Sequence, residues 1–332
     1  MLRGQTATEP RLPEALKISS QLAIERRMTT PVMRGCPVCD AQQSRPYLQK
    51  GELLLVRCTH CSMIYANPVP AEFASGEYYD RAGADYYLSP AKLESDYADV
   101  RFERELRLFH QHCPAGSVLD VGCSSGAFLH QLKERFSSSY EILGTDVSGA
   151  PLDYAESRGI PVVRGSFLEQ DLGSRKYDAI TLWAVVEHLA APKRFIERAA
   201  SLLKPAGLGF VLVPNMDSLA VRLLGARYRY TYPQHLNYFT RGTLTKLAGE
   251  WFSPIEIRST HFNPIVIWQD WRRGVREVSN QERGELLKRT TSYKQNPLFK
   301  PVKALYRLTE AALGALNLAD NLVLVLRKKP RV

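Results

Sequence analysis

The stretch "SVLDVGCSSGAFLHQLKERF", residues 117–136, decides the fold. Residues 118–121 form a short apolar run that predicts a β-strand. Small residues follow from Gly122 to Gly126 and predict a turn. A strand, a glycine turn and a helix in this order leave amide N–H groups free at the helix start, where a ligand can approach the backbone. The helix is predicted from apolar residues at helical spacing, namely Phe128, Leu129, Leu132 and Phe136.

The loop does not fit a dinucleotide. The dinucleotide pattern is G-x-G-x-x-G, and starting from Gly122 it requires glycine at positions that hold Ser124 and Ala127. The pattern D-x-G-C-x-x-G, which runs from Asp120 to Gly126, instead resembles the first motif of the class I S-adenosylmethionine (SAM)-dependent methyltransferases. Ser124 stands where that family usually has glycine. NAD and FAD are therefore poor candidates, and the resemblance implies SAM as the cofactor.

A carboxylate follows at the spacing that the resemblance requires. The segment "EILGTDVS" predicts a second strand that ends at Asp146, 24 residues after Gly122. A carboxylate at a strand tip can accept hydrogen bonds from the ribose hydroxyls of a bound adenosine. The resemblance implies this role for Asp146, and it implies that Ser166 and Phe167 contact the adenine. The SAM-binding residues that it implies are Asp120, Gly122, Cys123, Ser124, Gly126, Asp146, Val147, Ser166, Phe167 and Trp183.

Five further strands are predicted after these two, in "PVVRGSF", "YDAITLW", "LGFVLVPN", "IEIRST" and "NLVLVLRKK". A helix that opens at Pro192 and closes in a turn at 205–207 precedes the third of them. Strands that alternate with helices predict an α/β fold with a doubly wound, mainly parallel sheet. The resemblance implies a seven-stranded, Rossmann-like methyltransferase sheet.

Four cysteines have metal-site spacing. "CPVC" (Cys36, Cys39) and "CTHC" (Cys58, Cys61) are separated by 18 residues, which is typical of a zinc ribbon. Four thiolates fill the tetrahedron of a Zn²⁺ ion and leave no position for water, so the predicted site is structural. Free cysteines or two disulfides are the alternatives, and disulfides are disfavoured in a cytoplasmic chain.

The ribbon narrows the resemblance to a subset of methyltransferases that carry such a module before the core. These include C-methyltransferases of deoxysugar biosynthesis and bacterial enzymes of lipid and saccharide pathways. A second resemblance, confined to the core, is to quinone-pathway O-methyltransferases. In the sugar enzymes a Tyr-x-Glu-His sequence supplies the base. Tyr232, Gln234 and His235 of "YPQHLNYF" match three of these positions, with Gln in place of Glu.

Two histidines are therefore candidates for the general base. Histidine suits the role because its unperturbed pKa lies near ~6.5. His235 lies in the predicted acceptor wall with Tyr232, and His188 ends the family's "EHL" segment after the fourth strand. His235 is the first candidate and His188 the second. Catalysis by positioning alone, or a structural histidine that caps the next helix, are the alternatives.

The predicted domains are a tail (1–33), the zinc ribbon (34–70), a tyrosine-rich lid with a charged helix (71–112) and the core (113–332). Insertions at 216–240 and 261–320 interrupt the core. The lid holds the tyrosine pairs Tyr78, Tyr79, Tyr86 and Tyr87. Tyrosine offers an apolar face and a hydroxyl, which suits a sugar or aromatic acceptor. Ordinary packing against the core is the alternative.

The formal charge of +10 is concentrated towards the C-terminus. Residues 272–332 carry fourteen basic and five acidic residues, whereas residues 35–271 carry 24 basic and 26 acidic. The near-neutral middle argues against nucleic acid as a partner. The basic end favours an anionic substrate or peripheral contact with an anionic membrane through 299–332, next to the alternative of a solvated basic face. An apolar helical stripe there, "PVKALYRLTEAALGALNLAD", predicts either a lipid contact or a helix that covers the core.

The chain has no run of about 18 apolar residues and no secretory signal pattern. We therefore expect a cytoplasmic location, with or without peripheral contact to a membrane. The predicted function is methyl transfer from SAM to a small-molecule or lipid-linked acceptor, such as a sugar or cell-envelope intermediate. The alternatives are O-methylation of a quinone or phenolic acceptor, and a SAM-binding protein without transferase activity.

Overall fold

The computed structural model describes residues 31–330, except 71, 74–76, 276–277 and 296–299. Most of the predicted tail, residues 1–30, lies outside the described residues. In the described part, no helix is both long enough and apolar enough to span a bilayer.

A seven-stranded sheet forms the centre of the molecule, and the predicted fold class is confirmed. Its strand order is β10-β11-β8-β7-β4-β5-β6. β11 runs in the opposite direction to the other six strands, and all pairs that do not include β11 are parallel. The strands of this sheet are β4 (Gly116–Val121), β5 (Tyr140–Asp146), β6 (Val162–Arg164), β7 (Tyr177–Trp183), β8 (Leu203–Pro214), β10 (Phe252–Thr260) and β11 (Asn321–Lys328).

Helices cover both faces of the sheet, which explains why its strands are almost continuously apolar. Along β11, for example, Leu322 and Leu324 enter one buried cluster while Val323 and Val325 enter the other. The helices in chain order are α1 (Glu77–Tyr87), α2 (Pro90–Asp96), α3 (Glu103–His112), α4 (Ala127–Phe136), α5 (Gly149–Ser157), α6 (Pro192–Leu202), α7 (Leu219–Leu224), α8 (Arg241–Ala248), α9 (Pro264–Arg273), α10 (Asn280–Gln295) and α11 (Lys300–Ala315).

The N-terminal module is a second, antiparallel sheet of four strands, ordered β1-β2-β3-β9. Its first three strands are β1 (Ser44–Lys50), β2 (Leu53–Cys58) and β3 (Ile64–Ala66). The fourth, β9 (Asn237–Tyr238), comes from the stretch "YPQHLNYF". The insertion at 216–240 therefore completes the sheet of the ribbon, which the sequence did not predict.

The end of α6 differs from the prediction. The helix stops at Leu202, and β8 begins at Leu203 instead of after a turn at 205–207. Leu203 is buried and pairs with Tyr177 at the start of β7. The pairing then moves from Leu203 to Leu208, so residues 204–207 form a bulge in which Ala206 has a φ of +57°. The predicted turn is therefore present as an irregularity inside the strand.

Three leucines of the apolar stripe of α11 face outward, while the other side of the helix packs on β10 and covers that edge of the core. Leu305, Leu308 and Leu316 are 67%, 70% and 67% exposed. The opposite side of α11 packs on β10, where a Cβ on Gly314 would lie 2.6 Å from the carbonyl oxygen of Ser259. Only glycine fits that contact, and it fixes the orientation of the helix.

Candidate active site

The glycine turn lies at the carboxyl end of β4, where ligands bind in open α/β sheets. Gly122 has a φ of +73°, and a Cβ there would lie 2.5 Å from Cγ2 of Val185. The N–H groups of Gly122 and Cys123 donate to the carbonyl of Thr145 at 2.7 and 3.1 Å. These bonds hold the turn against the end of β5, so that positions predicted on two strands meet at one edge.

Asp146 sits at the tip of β5 and faces this turn. Its carboxylate accepts from the N–H of Ser124 at 2.8 Å and from the N–H of Ser148 at 3.0 Å. Burial raises the pKa of Asp146, and these backbone bonds oppose the rise. The carboxylate is thus oriented beside the turn at the place predicted for the ribose of SAM, and Val147 next to it is exposed.

The remaining predicted cofactor residues differ in exposure. Asp120 is buried, accepts from the hydroxyl of Thr181 at 2.6 Å, and has its pKa raised to about 7 by burial. Phe167 is 3% exposed, and its ring centroid lies 5.5 Å from that of Phe195 in the core. Ser166 and Trp183 are half-buried at the ends of β6 and β7. All belong to the same sheet edge, and their contacts with SAM stay predictions.

His188 lies in a short 3₁₀ turn, Val186–His188, directly after β7. Its Nδ1 is 2.9 Å from the carbonyl oxygen of Gln234 and 2.7 Å from the hydroxyl of Tyr79. Because a carbonyl only accepts, Nδ1 carries the hydrogen and Nε2 keeps a lone pair. Burial lowers the pKa of His188 to about 4, so the imidazole is neutral at pH 7.

His235 lies beside His188, with their ring centroids 4.7 Å apart. It is 4% exposed, and the ring of Tyr232 lies 4.3 Å away. Burial lowers the pKa of His235 well below its usual range, and the neighbouring His188 and Arg283 lower it further. The structure thus brings together all three predicted catalytic residues, with both imidazoles neutral.

Glu187 completes this cluster, and it was not predicted as a functional residue. It is 1% exposed, and its Oε2 has no hydrogen-bond partner among the described residues. Burial raises the pKa of Glu187 to about 8. Ligand atoms of Glu187, His188 and His235 all lie within 4.8 Å of one another. A buried acid next to two neutral bases can hold or move a proton.

Tyrosines connect this cluster to the cofactor edge. Tyr79 of α1 contacts His188, and Tyr78 accepts from the side-chain amide of Gln234 at 2.7 Å. Burial, followed by the charges of Tyr232 and Asp146, raises the pKa of Tyr87 well above its usual range. The environment of Tyr87 therefore includes both Asp146 and Tyr232.

The cysteines predicted to bind zinc converge. The Sγ atoms of Cys36 and Cys61 are 3.4 Å apart, those of Cys39 and Cys58 are 3.6 Å apart, and all four lie within 4.8 Å of one another. Four sulfurs at ~2.3 Å from a tetrahedral ion would be about 3.8 Å apart, whereas a disulfide needs ~2.05 Å. The donor set therefore fits a zinc ion.

Backbone contacts fasten the ribbon sheet to the histidine cluster. The N–H of Leu236 donates to the carbonyl of Glu187 at 2.7 Å, and the N–H of Ala66 donates to the carbonyl of Leu236 at 2.9 Å. The side-chain amide of Asn237 donates to the carbonyls of Val186 and Leu189 at 2.9 and 2.7 Å. His188 and His235 are thus held on two segments that share one set of hydrogen bonds.

Comparison with known proteins agrees with this geometry. Residues 95–250 match a family model described as a methyltransferase domain. The chain is 25% identical over 179 residues to a ubiquinone biosynthesis O-methyltransferase of Burkholderia thailandensis, covering 47% of this chain and 73% of the relative. It is 29% identical over 182 residues to one of Bradyrhizobium diazoefficiens, covering 51% and 68%.

Among solved structures, the N-methyltransferase NodS of Bradyrhizobium japonicum, in complex with S-adenosylhomocysteine, aligns with a TM-score of 0.47 at 14% identity. The alignment covers 76% of this chain and 98% of NodS. The family match spans α3, the glycine turn, Asp146 and the histidine cluster. The chain therefore contains a methyltransferase domain at residues 95–250, and the glycine turn, Asp146 and the histidine cluster all lie within it.

Proposed function

We propose that this enzyme transfers the methyl group of SAM to a hydroxyl-bearing small molecule held between α1, the turn 186–188 and the stretch 232–239. The observation that carries the proposal is the neutral pair His188 and His235 beside Glu187, at the same sheet edge as Asp146. A hydroxyl acceptor must lose a proton when its oxygen is methylated, and a neutral imidazole can take it.

The chemistry assigned to the chain's own residues is proton handling and positioning. When bound, SAM supplies a methyl group on a sulfonium. His188 holds its ring by the Nδ1–H bond to Gln234, which leaves Nε2 to accept the acceptor's proton. His235, the first candidate from the sequence, lies deeper and takes the proton directly or from His188. Where the carboxyl group of Glu187 is already ionised, its negative charge stabilises the imidazolium that forms when a histidine takes the proton.

A phenolic acceptor is the first candidate substrate. The relatives named ubiquinone biosynthesis O-methyltransferases support it. Three tyrosines also support it, since the rings of Tyr79, Tyr230 and Tyr232 lie 5.4, 6.5 and 4.3 Å from a histidine ring. A sugar or lipid-linked intermediate, the acceptor predicted from the ribbon resemblance, is the second candidate. Gln234 departs from the sugar-enzyme pattern, which has glutamate at this position. Its side-chain amide donates to the hydroxyl of Tyr78.

Zinc bound by Cys36, Cys39, Cys58 and Cys61 belongs to the proposal as a structural ion. Burial raises the pKa of the Cys58 thiol, but backbone bonds from Cys61 and His60 and the neighbouring sulfurs lower it to about 7. Backbone N–H groups directed at a sulfur favour the thiolate that the metal needs. The ion would hold the module whose sheet β9 completes, and four cysteine ligands would leave no coordination position for the acceptor.

Peripheral membrane contact through 299–332 is a further part of the proposal. The exposed Leu305, Leu308 and Leu316 lie in the most basic region of the chain. Helix α9 exposes Trp268 and Trp271, by 54% and 63%, next to Arg272. Exposed tryptophans with basic residues are typical of membrane-surface helices. Flotation with anionic vesicles tests it, and absence of binding at low salt would refute it.

Labelled SAM and a panel of phenols and sugars test the enzymatic proposal by product analysis. His235→Ala should abolish turnover while SAM affinity, measured by titration calorimetry, stays within about twofold. His188→Ala is the parallel variant, and His60→Ala, at an exposed position of the ribbon, is the control. Unchanged turnover in both active-site variants would refute a histidine base. Asp146→Ala should lose SAM affinity, and equal affinity would refute the cofactor site.

A further inference from the structure

Arg283 enters the acceptor region from a part of the chain outside the family match. It lies in the first turn of α10, on the excursion between β10 and β11. Ser279 and Glu282 fix that turn, since Glu282 accepts from the N–H of Ser279 at 3.0 Å and donates its own N–H to the Ser279 hydroxyl at 3.2 Å. This capping arrangement orients the side chain of the next residue.

The guanidinium of Arg283 faces the proposed acceptor wall. Its Cζ lies 4.0 Å from the ring centroid of Tyr232. Its charge acts on His188 and His235, and also on Tyr86 and Tyr230. Arg283 is therefore close to the residues that would surround an acceptor.

No carboxylate among the described residues pairs with Arg283. The neighbouring Glu282 is engaged with Arg273, at 3.1 Å, and with Ser279. Nε of Arg283 is buried and has no hydrogen-bond partner among the described residues. Stacking on Tyr232 attracts the cation but does not satisfy its N–H donors. A half-buried cation with an unused donor is costly unless an anion supplies the partner.

We infer that Arg283 binds an anionic group of the acceptor, a carboxylate or a phosphate, and thereby orients the hydroxyl to be methylated towards His188 and His235. The planar guanidinium presents paired N–H donors that match two oxygens of either group. The inference rests on the proposed function, because it names the acceptor class of that same site. It adds a substrate requirement that the family match does not contain.

Calorimetric titration of the full-length protein tests the inference, at constant ionic strength, both with and without saturating S-adenosylhomocysteine. The probes are benzoate, its neutral analogue benzamide, and inorganic phosphate. We expect wild-type protein to bind benzoate or phosphate, and benzamide at least about tenfold more weakly than benzoate if the group is a carboxylate. The anion that binds distinguishes the two acceptor classes.

Arg283→Gln should weaken binding of that anion at least about tenfold, and Arg283→Lys should lose part of it, because lysine keeps the charge without the fork. Arg289→Gln is the matched control, since Arg289 lies on the same helix but is exposed and bonds Tyr293. Failure of both anions to bind, or equal binding by Arg283→Gln, would overturn the inference. Failure of S-adenosylhomocysteine to bind would instead overturn the proposed function. The anion titrations without S-adenosylhomocysteine would still decide the role of Arg283.

Discussion

The guanidinium of Arg34 donates to the backbone carbonyl of Leu236 at 2.6 Å, next to the histidine proposed as base. The same side chain donates to the carbonyl of Ala190 at 3.1 Å and to the side chain of Asn237 at 3.1 Å. Arg34 stands two residues before Cys36 in the ribbon. One side chain therefore connects the cysteine module, the segment after His188 and the segment after His235.

Arg34→Met should disturb both histidines without touching the cofactor turn. Hydrogen bonds from a charged donor contribute about 1.5–3 kcal/mol each, so we expect a loss of about 2–3 kcal/mol in the free energy of unfolding and about tenfold in kcat. SAM affinity should be unchanged. Arg57→Met, in the same module but stacked on Tyr47 at 4.6 Å, is the control. Equal kcat in the two variants would show that the ribbon does not position the histidines.

Zinc removal should act through the same contacts. Metal analysis of the purified chain should give one zinc per protein, because one set of four cysteines converges in the described part. Chelation, or Cys39→Ser, should lower the melting temperature and reduce kcat more than it changes SAM affinity, since β9 loses its support. Cys113→Ser, a cysteine outside this set, is the control. Full activity of metal-free protein with an unchanged melting temperature would refute the structural role.

Local patterns predicted the cofactor edge and the cysteine cluster, and long-range pairing set the rest. The glycine turn, Asp146 and the two cysteine pairs can each be recognised from a few neighbouring residues, because geometry fixes their spacing. By contrast, β9 is two residues long and pairs with β3 across more than 150 positions, so no periodicity signals it. Arg283 lies in a polar helix with nothing to separate it from its neighbours. The sequence showed the apolar stripe of α11 but not which way the stripe faces, because the contact of Gly314 with Ser259 sets the orientation of the helix.

Asp270→Asn should be strongly destabilising. Asp270 and Arg229 are both almost fully buried, and the guanidinium makes paired bonds to the carboxylate, with Nη2 to Oδ1 at 2.7 Å. The pair ties α9 to the segment before Tyr230. Removing one partner of a buried ion pair costs about 3–5 kcal/mol because the other charge stays buried. Denaturant unfolding measures it, with Asp153→Asn, in an exposed pair with Arg164, as a control expected to lose less than about 1 kcal/mol. A loss no larger than in the control would contradict a buried pair.

Glu187→Gln should remove a pH dependence of stability that the wild type shows between pH 6.5 and about 8. Burial raises the pKa of Glu187 to about 8, from 4.5. The folded state therefore holds a proton that the unfolded state releases, and the stabilisation present below pH 4.5 is lost as pH rises through 8. His188, whose pKa is lowered to about 4 from 6.5, has the opposite effect, with stability lost as pH falls from 6.5 to 4.

Above pH 6.5 the contribution of Glu187 is thus separable from that of His188. The difference in unfolding free energy between wild type and Glu187→Gln should fall by at most about 1.4 kcal/mol per pH unit from 6.5 to 8 and then level off. Glu52→Gln, at an exposed position of the ribbon hairpin, should give a constant difference. A constant difference for Glu187→Gln as well would mean that this carboxyl group is ionised in the folded protein, and that it is a charged partner of the histidines at neutral pH.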